Sequence, residues 1–396
     1  MRFLYNIFIF IYHIGLRVYS LFNDKAKQII LEQKDLIHKI INETKNYSNI
    51  VWFHAASLGE FEQGKNVIQS YKKKNPTHKI LLTFYSPSGY DYMKNNEIAD
   101  WVFYMPHDSP KNAKLFTEQI KPIKVIFIKY EFWFNYIHQL YIQKIPIYFI
   151  SCKFRKEQYF FRFYGKWFAK ELKKITLIFV QDEDSNNLLK SINIRNSIIC
   201  GDTRFDTVLR YPKKDFNNPI IKKFIKHNKV LVLGSVWKED LKLITETKKL
   251  KNYKIIVAPH EMTQVNLFKG LEKSILLSEA NSNNVSNSHI LIIDKVGILS
   301  KIYRYATIAY IGGGFGKGIH NTLEAAVYNT PILIGPNYYK FSEAKDLINK
   351  KLALVVKNPN EFIQSIRYFE NIDIKESSKE YFNSNKGATK KILGHI

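Results

Sequence analysis

At 396 residues and 45% hydrophobic content, the chain exceeds what one core serves, which points to two folded domains and excludes global disorder. Sixty Lys and Arg against 35 Asp and Glu leave a net charge of +25, which calls for an anionic partner. Lysine is spread along the chain with no compact basic recognition helix, so phosphates and membrane surfaces rank above nucleic acid.

The chain opens on an aromatic-rich segment, 1–24, in which Phe, Tyr, Ile and Leu are interrupted by Asn6, His13, Arg17 and Ser20. Only about 14 uncharged residues separate Arg2 from Arg17, short of the roughly 20 that span a bilayer. No small-residue cleavage site marks a removable signal peptide. Lys25, Lys27, Lys34 and Lys39 follow, as the positive-inside bias requires of a cytoplasmic body. The segment therefore reads as an interfacial anchor helix, ahead of a tilted span or a helix packed on the globular body.

From residue 50, short β-rich apolar runs alternate with helix-length segments. Runs at 50–55, 80–84, 101–104, 125–128, 145–150 and 175–180 describe a parallel sheet covered by helices over 25–210. The stretch 211–219, with two prolines, two lysines and two asparagines, reads as a linker. The alternation restarts at 229–234, 253–258, 289–293, 306–311, 331–334 and 352–356, giving a second domain over 220–396 with a charged helical tail after Ile374. Two doubly wound α/β domains facing a cleft are expected, with ligands at the carboxyl ends of the strands. Cys152 and Cys200 lie far apart, form no CxxC pair and read as small apolar residues near strand ends in a reducing compartment.

The densest functional signal is Gly312, Gly313, Gly314, Gly316 and Gly318, directly after a buried run and before a helix expected at 320–327. Strand, glycine loop and helix start form a device for holding an anion, because backbone N–H groups approach the ligand. His320, Asn321 and Glu324 add polar groups at its mouth. After the first strand, Ser57, Gly59 and Glu60 read either as a capping box or as a carboxylate at the sheet edge, suited to take a proton from a hydroxyl. Ser86 follows the second strand, in a turn. Glu131 follows the fourth among aromatics, where a carboxylate needs a partner. Arg204, Ser235 and His260 also stand at strand ends. No histidine or carboxylate has metal-ligand spacing, and Walker A, GxSxG and GxGxxG patterns are absent, so neither a metal nor a cofactor is inferred.

Together, the segments 54–60, 83–89, 131–135, 201–206, 234–240 and 312–326, in that order, resemble the bacterial Kdo transferases, which attach 3-deoxy-D-manno-octulosonic acid (Kdo) to lipid A precursors. The resemblance implies a GT-B fold, CMP-Kdo as donor, and a lipid IV-A type acceptor at the cytoplasmic face of the inner membrane. It further implies Glu60 as general base of an inverting, metal-independent transfer. The cytidine nucleotide is then held by Ser235, His260, Gly313, Gly314, His320, Asn321 and Glu324, with Ser57, Gly59, Ser86, Glu131 and Arg204 as further cleft residues. Two positions depart from the family: Pro259 stands where many members carry Arg before the histidine, and Arg204 where many carry Lys. Another GT-B transferase, a sugar-nucleotide epimerase and a non-catalytic membrane-surface protein are the alternatives.

Overall fold

The computed structural model describes residues 1–396, which divide into two compact units, Met1–Thr207 with Asn385–Ile396, and Val208–Ser384. The first contains seven parallel strands: β1 (Ile50–Ala55), β2 (Lys79–Phe84), β3 (Trp101–Tyr104), β4 (Lys124–Ile128), β5 (Ile147–Cys152), β6 (Leu177–Val180) and β7 (Ser197–Ile199). Their order is β3-β2-β1-β4-β5-β6-β7. All six residues of β1 are buried, because helices cover both faces of the sheet. Alternation then sorts the side chains: Trp52, Leu81, Val125 and Phe127 join one core, and Val51, Phe53, Ile126 and Ile128 the other.

The second unit repeats the plan with β8 (Lys229–Val236), β9 (Tyr253–Pro259), β10 (Ser274–Leu276), β11 (Ile290–Ile292), β12 (Ile308–Ile311), β13 (Ile332–Ile334) and β14 (Ala353–Val355). Its order is β10-β11-β9-β8-β12-β13-β14. Strand order reverses between β1 and β4 in one sheet and between β8 and β12 in the other. These are the topological switch points, outside which open α/β sheets bind ligands.

Two features depart from the sequence reading. The stretch 211–219 is not a bare linker: Arg304 donates to the Tyr211 carbonyl at 3.2 Å and the Tyr305 hydroxyl to that of Phe216 at 2.9 Å, which ties it to the second unit. The tail, drawn with the second domain, ends in the first. Asp206 accepts the Gly387 and Thr389 N–H groups at 2.7 and 2.6 Å, and Ile392 of the last helix, Ala388–Leu393, is fully buried in a core of the first unit. Cys152 and Cys200 are free, buried and at strand ends.

The amino-terminal segment is one helix, Arg2–Tyr19, and no helix is long and apolar enough to cross a membrane. One face docks on the first unit through polar contacts. Tyr5 donates to Asp108, Asn135 donates to Asn6 at 3.0 Å, and the Tyr12 and Tyr85 hydroxyls meet at 2.7 Å. Elsewhere on its surface the helix leaves Phe3, Phe8, Phe10 and Ile11 at least 60% exposed.

Candidate functional site

At the first switch point, β1 delivers a fully buried histidine, His54. Trp52 Nε1 donates to Thr83 Oγ1 at 2.8 Å, and that hydroxyl lies 2.9 Å from His54 Nδ1. On the other side of the ring, His54 Nε2 lies 3.1 Å from Trp133 Nε1. Nε2 faces Glu131 Oε2 at 3.3 Å, and Trp133 Nε1 donates to the same oxygen at 2.9 Å. Glu131, the lone charge among aromatics, thus has its partner: a histidine and an indole that fix its orientation at the end of β4.

The loop after β1 runs straight into the helix Leu58–Lys74. Ser57 occupies the N-cap in extended conformation, yet no side chain caps the helix. The capping box admitted by the sequence does not form. The Ser57 hydroxyl instead donates to the Glu60 carboxylate, leaving that carboxylate half-buried in the first turn. A side chain at Gly59 would meet nothing closer than the Ser57 hydroxyl at 3.8 Å, so the space above this turn is open. The carbonyl of Ala56 accepts the N–H groups of Tyr85 and Ser86 at 3.2 and 2.7 Å, which joins the β1 and β2 loops. Tyr85 in turn packs on Trp133 with ring centres 5.2 Å apart. Burial first, then the Tyr12 hydroxyl, raises the Tyr85 phenol well above its ordinary range. Ser57, Gly59, Glu60, Ser86 and Glu131 therefore share one edge of the sheet. Ser86 itself takes the plainer role there, capping Pro87–Met93. Arg204 is elsewhere: it follows the edge strand β7, and its Nε and Nη2 donate to Asp202 at 2.9 and 2.7 Å.

At the second switch point the materials differ. Ser235 sits at a bulge in β8 with φ of 53°, a strained value for a residue other than glycine. The glycine loop folds against backbone rather than standing open. Gly313 has φ of 88°, and a Cβ on Gly314 would lie 2.6 Å from the Gly335 Cα. Gly313 N–H is already committed to Asp240 at 3.1 Å, while those of Gly314 and Phe315 have no partner within the chain. The helix expected at 320–327 is a single turn, Leu323–Ala326. Asn321 Oδ1 accepts the Leu323 N–H at 3.1 Å and so starts it late, and Asn329, in the left-handed region, follows its end. Asn321 also donates to Glu324 at 3.1 Å.

His260 and His320 stack with ring centres 4.0 Å apart, and Trp237 stacks on His260 at 4.7 Å. Trp237 Nε1 donates to His320 Nε2 at 2.8 Å, so the His320 proton resides on Nδ1. Burial, then the neighbouring His260, lowers the His320 pKa to about 4, which keeps the ring neutral near pH 7. Burial also lowers His260, against the pull of Glu261.

Sequence reasoning missed the residue that ties this half together. Asp240 is fully buried and accepts from the Tyr310 hydroxyl at 2.6 Å, Trp237 N–H at 2.8 Å and Gly313 N–H. One carboxylate thereby fixes the bulge loop, the indole and the glycine loop. Burial raises its pKa against the lowering effect of these three bonds. Its signal was a carboxylate three residues beyond Trp237 at a helix start, which reads as an ordinary cap. His54 gave a better one: a polar residue inside an otherwise apolar strand.

The family model described as 3-deoxy-D-manno-octulosonic-acid transferase (kdotransferase) matches residues 30–207. A 3-deoxy-D-manno-octulosonic acid transferase of Aquifex aeolicus is 26% identical over 349 residues, 85% of this chain and 91% of that protein. Among solved structures, a glycosyltransferase from Rickettsia africae has a TM-score of 0.60 at 15% identity, covering 88% of this chain and 97% of its own. A UDP-GlcNAc 2-epimerase from Neisseria meningitidis, bound to UDP-GlcNAc, has 0.59 at 18%, covering 87% and 98%. Both structures share the fold of two parallel-sheet α/β units. Residues 30–207 thus match the 3-deoxy-D-manno-octulosonic acid (Kdo) transferase family model, and the sequence relatives support assigning the chain to that family.

Proposed function

We propose that this protein is an inverting glycosyltransferase that moves Kdo from CMP-Kdo to a lipid IV-A type acceptor at the cytoplasmic face of the inner membrane. The observation that carries the mechanism is the Ser57–Glu60 pair at an uncapped helix start beside the switch point. Glu60 takes the proton of the acceptor hydroxyl as its oxygen bonds to the anomeric carbon of Kdo and the bond to CMP breaks on the opposite face. The Ser57 hydroxyl aims the carboxylate, and the open space over Gly59 admits the acceptor. Glu131, held by His54 and Trp133, is a positioning group beside it.

The second unit supplies the donor half. Unpartnered N–H groups at Gly314 and Phe315, with Lys317 in the same loop, meet the phosphate and the charge left on departing CMP. The neutral His320 offers its Nδ1 proton, and the stacked His260 and Trp237 give the cytosine a flat platform. Ser235, Asn321 and Glu324 complete the polar lining. CMP-Kdo is a co-substrate here, and neither a metal nor a cofactor is assigned a step. Pro259 puts no guanidinium beside His260, so the phosphate contact made by Arg in many relatives falls to the glycine loop.

The amino-terminal helix, docked by one face and carrying exposed apolar side chains elsewhere, supports attachment at the membrane surface rather than a span. The cationic body suits a phosphorylated acceptor and anionic lipid. The decisive experiment incubates the protein with CMP-Kdo and lipid IV-A, with UDP-sugars as controls. Lipid-dependent CMP release is the expected result; transfer or epimerisation of a UDP-sugar instead would overturn the assignment.

A further inference from the structure

A cavity of about 550 Å³ lies between the helix Arg2–Tyr19 and the aromatic segment that follows β4. Its walls are apolar or aromatic apart from Glu131. Three of its polar side chains are engaged within the fold: Tyr5 donates to Asp108, Tyr12 pairs with Tyr85, and Glu131 Oε2 is taken by His54 and Trp133. Apart from the Tyr130 and Tyr159 hydroxyls, the rest of the lining is ring faces and methylenes, including those of Leu4, Phe8 and Phe168. Such a surface offers little to a sugar or a phosphate and gains mainly by removing apolar matter from water. The cavity is also tied to the catalytic loop, since Trp133 packs on Tyr85, whose N–H is bound by Ala56 beside Ser57.

We propose that this cavity seats one acyl chain of the acceptor lipid, which makes the amino-terminal helix a wall of the acceptor site as well as a membrane contact. The inference rests on the Kdo-transfer reading above. Charge complementarity selects an anionic lipid as occupant. Residues 1–23 contain no Asp or Glu but carry Arg2 and Arg17, and Lys25 and Lys27 follow. A phosphorylated head group is matched there while its chain enters the apolar space.

The test uses the full-length protein, tetra-acylated lipid IV-A and the same phosphorylated disaccharide stripped of its chains. Leu4→Trp narrows the cavity from a position 57% exposed, where folding is not at stake. Each methylene excluded is worth ~fourfold in affinity, so KM for the acylated acceptor should rise ~10-fold with kcat held. KM for the stripped acceptor should move less than about twofold, because it never occupied the space. Equal effects on both acceptors, or none on either, overturn the proposal. So does a changed oligomeric state at unchanged KM, which would make the cavity a seat for a second copy of the chain. A phospholipid carrying one cis-parinaroyl chain provides a readout independent of transfer, by energy transfer from the tryptophans around the cavity, Trp133 and Trp167. Saturable signal, competed by the acylated but not the stripped acceptor, keeps the acyl seat even if no Kdo transfer occurs. Absence of that signal removes the seat even if transfer does occur.

Discussion

The two switch points are built on the same strand order but from opposite materials. The first ends in carboxylates: Glu60 held by a serine and Glu131 held by a histidine and an indole. The second ends in backbone N–H groups and neutral rings, with its one buried carboxylate, Asp240, spent on three internal donors. Carboxylates suit a ligand that must lose a proton. N–H groups around a neutral histidine suit a ligand that arrives as an anion. The fold supplies two equivalent places, and the loops decide what chemistry each can serve.

Breaking each half should therefore give different kinetics. The largest effect belongs to Glu60→Gln, which keeps the shape and the contact with Ser57 but removes the base. Its kcat should fall ~10²- to 10⁴-fold with CMP affinity unchanged, as read by steady-state CMP release and calorimetry. An unimpaired variant ends the proposed mechanism. Next comes Asp240→Ala, which strands two N–H groups and the Tyr310 hydroxyl in a buried site. Each unsatisfied donor costs ~1–3 kcal/mol, so the second unit should unfold earlier and CMP binding should become undetectable. Asp240→Asn keeps acceptor oxygen and should recover part of both. His320→Phe preserves the stack but removes both nitrogens, and should weaken CMP binding ~10-fold, with acceptor KM unchanged.

How legible was this in the sequence? β1 and β3 are legible to their observed ends because turn residues bound their apolar runs, although only β1 is buried throughout and β3 lies at the sheet edge. β7 and β10 were not read at all. Each is three residues long at a sheet edge, and Ser197 and Ser274 leave little run to detect. Local chemistry misled at helix starts. Ser57 and Glu60 have capping-box spacing, yet their side chains bond each other. Asn321 begins its helix by an Asx bond, which delays the turn expected from His320 onward. The remainder was invisible for a different reason. The Trp237–His260–His320 stack, the Asp240 hub and the His54–Glu131 contact join residues brought together only by parallel strand register. Spacing along the chain carries no trace of that. The tail's return to the first unit likewise depends on Asp206 meeting Gly387 and Thr389 across nearly half the sequence.

The smallest effect concerns pH and isolates the proposed donor half. His320 has its folded pKa lowered to about 4, below the ordinary 6.5 that its unfolded chain would show. Between these values the unfolded state binds more protons, so stability rises with pH across that window and is lost as pH falls toward 4. Asp240 acts in the opposite sense: its raised pKa means the folded state holds its proton longer, and stability declines as pH climbs past the ordinary carboxylate value. A simple pH profile of the second unit mixes the two. The difference between wild type and His320→Phe does not, since Asp240 is common to both. Hydrogen exchange of the β8 and β12 amides should show the wild type losing protection faster than the variant as pH falls from 7 to 4.5. Parallel curves would mean that His320 is not held neutral by burial. Its Nδ1 proton could then no longer be assigned to the nucleotide by the bond from Trp237.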